Sequence, residues 1–174
     1  MSSKKRALIS IGIFTVFGLF GIAISLGTLV SEWPYILFYV LLLWNDYFSI
    51  KHFAKIISPR KPSQIIIDTI LVILHLGAAL FIGSPWNFAL IMTLLFIAAI
   101  LKYSWELSVV SNSRALFRKI KIDSLGAFVS AGALVGISLG YPWRSVIIWT
   151  LIFAGASIYV ILINPLYKDV IGPT

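Results

Sequence analysis

The sequence predicts an all-α integral membrane protein: six transmembrane helices as three tandem helical hairpins, with both termini cytoplasmic. Three observations predict it. Hydrophobic residues make up 60% of the chain and charged residues 11%, against ~45–50% and ~25% in soluble domains. Six apolar runs each approach the ~20 residues that span a bilayer. The basic residues fall almost entirely into alternate loops. A chain of 174 residues this apolar cannot cover a core with water-compatible surface, so lipid is the solvent that fits. One transmembrane domain over residues 1–174 is expected.

The first run, 7–30, follows Lys4, Lys5 and Arg6. It is too long for the ~7–15-residue apolar region of a signal peptide, and no clear cleavage site ends it, so a retained helix is expected. The other runs cover roughly 35–54, 64–82, 87–109, 122–140 and 144–164. None carries the polar stripe of a soluble helix. The hairpins are therefore 7–54, 64–109 and 122–164. Short turns on one side read Ser31-Glu32-Trp33-Pro34, Gly83-Ser84-Pro85-Trp86 and Gly140-Tyr141-Pro142-Trp143. Their tryptophans suit a membrane interface, where an amphipathic ring is at home. The loops on the other side are longer and basic. Every Lys and Arg except Arg144 falls on that side, in these loops, the termini or the adjoining helix ends. The positive-inside rule then puts both ends in the cytoplasm of a cell (inner or plasma) membrane.

The second and third hairpins resemble each other. Ile67-Asp68-Thr69-Ile70 matches Ile122-Asp123-Ser124-Leu125, and Gly77-Ala78 matches Gly132-Ala133. Each hairpin turns at Pro-Trp. Beyond the turn, Thr93, Phe96 and Ala99 match Thr150, Phe153 and Ala156. The first hairpin is a weaker copy, with no Asp at its start. The odd helices are rich in small residues: Gly18, Gly21 and Ser25 in the first, and Gly132, Gly136 and Gly140, a doubled GxxxG, in the fifth. Small residues favour close packing in lipid. The even helices are bulky and aromatic. That contrast predicts the odd helices inside and the even ones outside.

Ionisable residues in spanning helices are costly and are functional candidates. Asp46, Asp68, His75 and Asp123 form the candidate polar site. Asp68 and Asp123 have two readings. Each can offset the positive end of a helix near its start, or flank a vestibule for a cation or proton. Asp46 can pair with Lys51 or join a cluster with another helix. Lys102 and Glu106, spaced i, i+4, are expected to pair with each other. His75 reads as a proton relay or as a histidine bonded to a neighbouring helix. Haem ligation with His52 is not expected, because the two lie at different depths. Arg114, Arg118 and Lys119 form a basic cluster that can orient the chain or hold a lipid head group or an acidic partner.

The net charge of +8 is explained by loop placement, so no nucleic-acid partner is expected. The absence of cysteine excludes disulfides and thiolate chemistry. The chain contains no HExxH, nucleophile elbow, P-loop or dinucleotide fingerprint. An enzyme, a cofactor and a metal site are therefore not expected. The favoured reading is a non-catalytic membrane subunit or accessory component of a larger complex, with the bilayer and a membrane protein as partners. The alternative is a small, oligomeric transporter or channel for a cation, proton or small solute.

Overall fold

A computed structural model describes residues 2–24, 29–56, 62–108 and 113–166. Among these residues the chain is all-α, with six helices: α1 (Ser3–Ile24), α2 (Leu29–Ile56), α3 (Pro62–Leu80), α4 (Pro85–Leu107), α5 (Ser113–Ser138) and α6 (Pro142–Ile158). One π-helical turn, Tyr159–Ile163, continues α6. Pro165 lies just past its end, where the missing N–H does no harm. Pro62, Pro85 and Pro142 each stand first in their helices, the position at which a fixed φ is preorganised and no N–H is needed. Four stretches, Ser3–Ile24, Pro85–Leu107, Arg114–Ser138 and Pro142–Ile163, are long and apolar enough to cross a membrane. The apolar run of α3, Gln64–Leu80, is shorter. In α2, Trp44-Asn45-Asp46-Tyr47 breaks the apolar character midway.

Two boundaries depart from the expected ones. The turn expected at 31–34 lies inside α2, which begins at Leu29 and carries Pro34 within it; residues 25–28, and with them Ser25, lie outside the described residues. The Pro34 carbonyl accepts a hydrogen bond from the Thr150 hydroxyl at 3.2 Å, tying α2 to α6. Helix α5 begins at Ser113, more than two turns before residue 122, so the basic stretch Arg114–Lys121 is helical. Charged residues conceal a helix from a hydropathy reading but are good helix formers.

Each helix packs chiefly against two others, and the contacts close into a ring in the order α1, α2, α6, α5, α4, α3. The centre is filled from the even helices, the reverse of the expected arrangement. Phe38 of α2 lies 4.2 Å from Trp149 of α6 and 5.9 Å from Phe88 of α4, centroid to centroid, and all three are buried. Such aromatic pairs contribute ~0.5–1.5 kcal/mol beyond their burial. The physical reason is volume, since small residues cannot fill the middle of a six-helix ring and aromatic rings can. Tyr35, Ala78, Ile82, Ala89, Met92 and Val146 surround this cluster. All of these lie in the helix halves nearer the Gly83 and Gly140 turns, the turn end of the bundle.

The small residues serve the perimeter. Gly21 of α1 sits against the Ala79 carbonyl of α3, leaving no room for a Cβ. Gly18 meets the Tyr39 ring, whose hydroxyl donates to the Phe14 carbonyl at 2.9 Å. The three glycines of α5 do not form one packing face. Gly136 meets Ser145 of α6, whereas a Cβ on Gly132 would meet nothing within 4 Å. Gly140 has φ +88° and closes the helix. The Tyr141 N–H bonds the Gly136 carbonyl and the Gly140 N–H bonds the Ile137 carbonyl, each at 3.0 Å, a Schellman cap that needs a left-handed residue.

The same substitution should therefore act oppositely at two sites. Gly21→Ala should destabilise by ~1–3 kcal/mol through overpacking. Gly132→Ala should be neutral or stabilising by up to ~1 kcal/mol through helix propensity. Thermal unfolding of the two purified variants in one detergent checks the pair.

Candidate functional site: a polar cavity at the basic end

The helix halves opposite the aromatic core enclose a cavity of about 420 Å³, within the ~300–1,000 Å³ range of small-molecule sites. All six helices line it. Helix α1 supplies Arg6, Ser10 and Phe14; α2 supplies Asn45, Asp46 and Ser49; and α3 supplies Gln64, Asp68 and His75. From α4 come Lys102, Tyr103 and Glu106, from α5 Lys119 and Asp123, and from α6 Trp149, Phe153 and Ser157. The four sequence-predicted polar residues, Asp46, Asp68, His75 and Asp123, thus converge on one space.

Two of them bond each other. His75 Nε2 lies 2.6 Å from Asp46 Oδ2, and its Nδ1 lies 2.7 Å from the Leu71 carbonyl. A ring nitrogen facing a carbonyl carries the proton, so Nδ1–H donates to Leu71. The Phe14 ring stacks on the imidazole at 4.6 Å. Asp46 is therefore held by another helix, and the imidazole is fixed in orientation. A dyad of this kind can accept and release a proton.

Asp68 accepts from Lys102 Nζ at 2.5 Å. The expected local pair of Lys102 with Glu106 is not made. Lys102 reaches across to α3, and Glu106 Oε1 instead accepts from Gln64 Nε2 at 2.9 Å. Asp123 accepts from Lys119, one turn earlier on α5, at 2.5 Å. Since α5 begins at Ser113, Asp123 stands about three turns inside the helix, too deep for the end effect that fades within the first turn. Its charge is answered by lysine instead. Uncharged groups complete the wall. Asn45 Nδ2 donates to Ser157 Oγ at 2.6 Å, and the Ser49 and Tyr103 hydroxyls share a hydrogen bond at 3.0 Å.

The three residues of the expected basic cluster, all on α5, have different surroundings. Arg114 is exposed. Arg118 donates to the Asn164 carbonyl at 3.1 Å, satisfying the end of α6. Lys119 turns into the cavity, over the Tyr103 ring at 5.6 Å. Sequence reasoning set Glu106 aside as an interfacial partner of Lys102, yet it is 2% exposed and lines the cavity. Gln64 went unremarked. The available signal was that Gln64 lies one turn before Asp68, and Glu106 one turn after Lys102, on paired helices.

No protein-family model, curated protein or solved structure matches the chain.

A double-mutant cycle on Asp46→Asn and His75→Ala should give a coupling energy within the ~0.5–3 kcal/mol seen for contacting residues. Unfolding free energies of the wild type, both single variants and the double variant supply it, and additivity would remove the dyad from the site.

Proposed function

We propose that the chain is a multi-pass protein of the cell membrane, its six helices crossing as three hairpins with both termini cytoplasmic, and that it binds and moves a small polar solute, cation or proton. One observation carries this reading: four carboxylates from four helices converge on a single cavity in an otherwise apolar bundle. Burying ionised groups is costly, and a scaffold whose only task was to span the bilayer would have no need of them. The cavity lies at the basic end, which the charge distribution assigns to the cytoplasm, and the aromatic cluster separates it from the turn end. Access from one side with a plug on the other is what a carrier requires in one of its states. The site is proposed as non-catalytic: three of its four carboxylates are engaged by a lysine or a histidine of the chain. The likeness of the second and third hairpins is taken as a tandem duplication.

The subunit reading keeps one observation in its favour. Leu125, Phe128, Val135 and Leu139 form an exposed apolar face on α5, with Phe128 78% exposed. Lipid, a second copy or another membrane protein would cover it.

Topology is directly testable, because the chain has no cysteine of its own. A membrane-impermeant maleimide should label Tyr141→Cys in intact cells and Ser2→Cys only after permeabilisation; the opposite pattern would invert the protein. In liposomes, an internal pH dye for protons and radiolabelled methylammonium for a small cation should report flux above protein-free vesicles. Asp46→Asn and Asp68→Asn should change that flux by about tenfold, equivalent to ~1.4 kcal/mol. Absent or unchanged flux, together with a hetero-complex in native mass spectrometry of gently extracted protein, would replace transport by the subunit reading.

A further inference from the structure

The basic stretch at the start of α5 divides between two sides of the helix. Arg118 satisfies the Asn164 carbonyl, and Lys119 is bonded to Asp123 at the cavity wall. Arg114 and Lys121 are exposed, and neither pairs with a carboxylate among the described residues. Their spacing of i, i+7 puts them on one face, about two turns apart. Phe117 stands on that face between them, and the Lys121 ammonium lies over its ring at 5.0 Å. That contact holds the ammonium back along the helix, toward Arg114. The same face continues down α5 as Phe128 and Val135, 78% and 60% exposed. Gly132 lies between them, and a Cβ there would meet nothing within 4 Å. Two outward cations without an acid thus stand above an apolar strip with a recess in it.

We propose that this face of α5 binds an anionic phospholipid in the leaflet at the basic end. Arg114 and Lys121 hold its head-group phosphate, and an acyl chain lies along Phe128, Gly132 and Val135. The inference rests on the chain crossing the bilayer, not on what the cavity carries. Charge complementarity selects the occupant. A phosphodiester supplies the anion that both cations lack, and guanidinium bonds phosphate oxygens in a bidentate fork. A zwitterionic lipid brings its own cation to the same place. A second copy of the chain, crossing in the same direction and related by a two-fold axis, would set Arg114 and Lys121 against their own equivalents. The dimensions agree as well. From Lys121 to Val135 the helix rises ~21 Å at ~1.5 Å per residue. Half a bilayer with its head groups measures ~20–22 Å, so one lipid of one leaflet covers the span.

The test is native mass spectrometry of the full chain, equilibrated in nonionic detergent with equimolar dioleoylphosphatidylglycerol and dioleoylphosphatidylcholine. The chain should retain one phosphatidylglycerol, at least about fivefold in preference to phosphatidylcholine. The double variant Arg114→Gln/Lys121→Gln should bring that preference to about even. Lys4→Gln/Lys5→Gln removes the same charge from exposed positions at the same end and should leave the preference in place. Phe128→Ala should weaken retention by about threefold with both cations intact. All five side chains are exposed, and a melting curve for each variant confirms its fold. Equal retention of the two lipids by the wild type overturns the site. A preference that both charge pairs abolish alike also overturns it, because net charge alone then attracts the lipid. So does retention that Phe128→Ala leaves unchanged, or a chain dimer that this variant dissolves, which would make the face an interface between copies.

Discussion

Charge placed where water is scarce is the constraint on which this bundle turns. Asp46, Asp68, Glu106 and Asp123 lie on four different helices, and in an apolar surrounding each must find donors within the protein. Three of the resulting bonds run between helices. Helix α3 is the hub, giving Gln64 to Glu106 and His75 to Asp46 and taking Lys102 onto Asp68. The His75–Asp46 bond joins α3 to α2, which are not neighbours in the ring of contacts. It therefore spans the interior. Between lipid-facing helices there is little hydrophobic drive to associate, and packing and interhelical hydrogen bonds have to supply it. Here packing dominates one end of the bundle and polar bonds the other.

The two ends depend on each other. At the turn end, Gly21 against Ala79 and Gly136 against Ser145 let backbones approach closely, while Phe38, Phe88 and Trp149 fill the middle. At the basic end the same six helices enclose a cavity instead. Trp149 belongs to both, lying in the aromatic cluster and at the cavity wall. A change at that ring would alter packing and the floor of the site together.

What the sequence disclosed follows from which features are local. Six helices were legible because each apolar run announces itself, and Asp46, Asp68 and Asp123 stood out as candidates because an acid in such a run is costly. Partner choice was not legible. The i, i+4 rule offered Glu106 to Lys102, and only the packing of α4 on α3 places Asp68 nearer. Asp68 and Asp123 occupy equivalent positions in two similar hairpins, yet one is answered across helices and the other from its own turn. The doubled GxxxG was a pattern without a partner: of its three glycines only Gly136 meets a neighbouring helix, Gly132 faces open space, and Gly140 serves the cap. Glycine spacing says which side of a helix is smooth, not what lies against it. The inside–outside assignment reversed for a related reason, because it weighed closeness of approach and left out the volume that the centre must hold.

Lys102 and Lys119 entered the orientation argument as charges of the basic side, but both line the cavity. Taking them out of the count still leaves Arg144 alone on its side, so the asymmetry survives. Their removal sharpens a physical tension in the proposed function. A cation approaching the basic end meets a positive rim, which slows encounter, although anionic head groups beside the same loops would partly neutralise it. Leu125 and Ile152 line the cavity and are also exposed on the apolar surface. On the proposed function, the basic rim would slow entry of a small cation, and the exposed apolar flank at Leu125 and Ile152 would favour a solute that carries an apolar body.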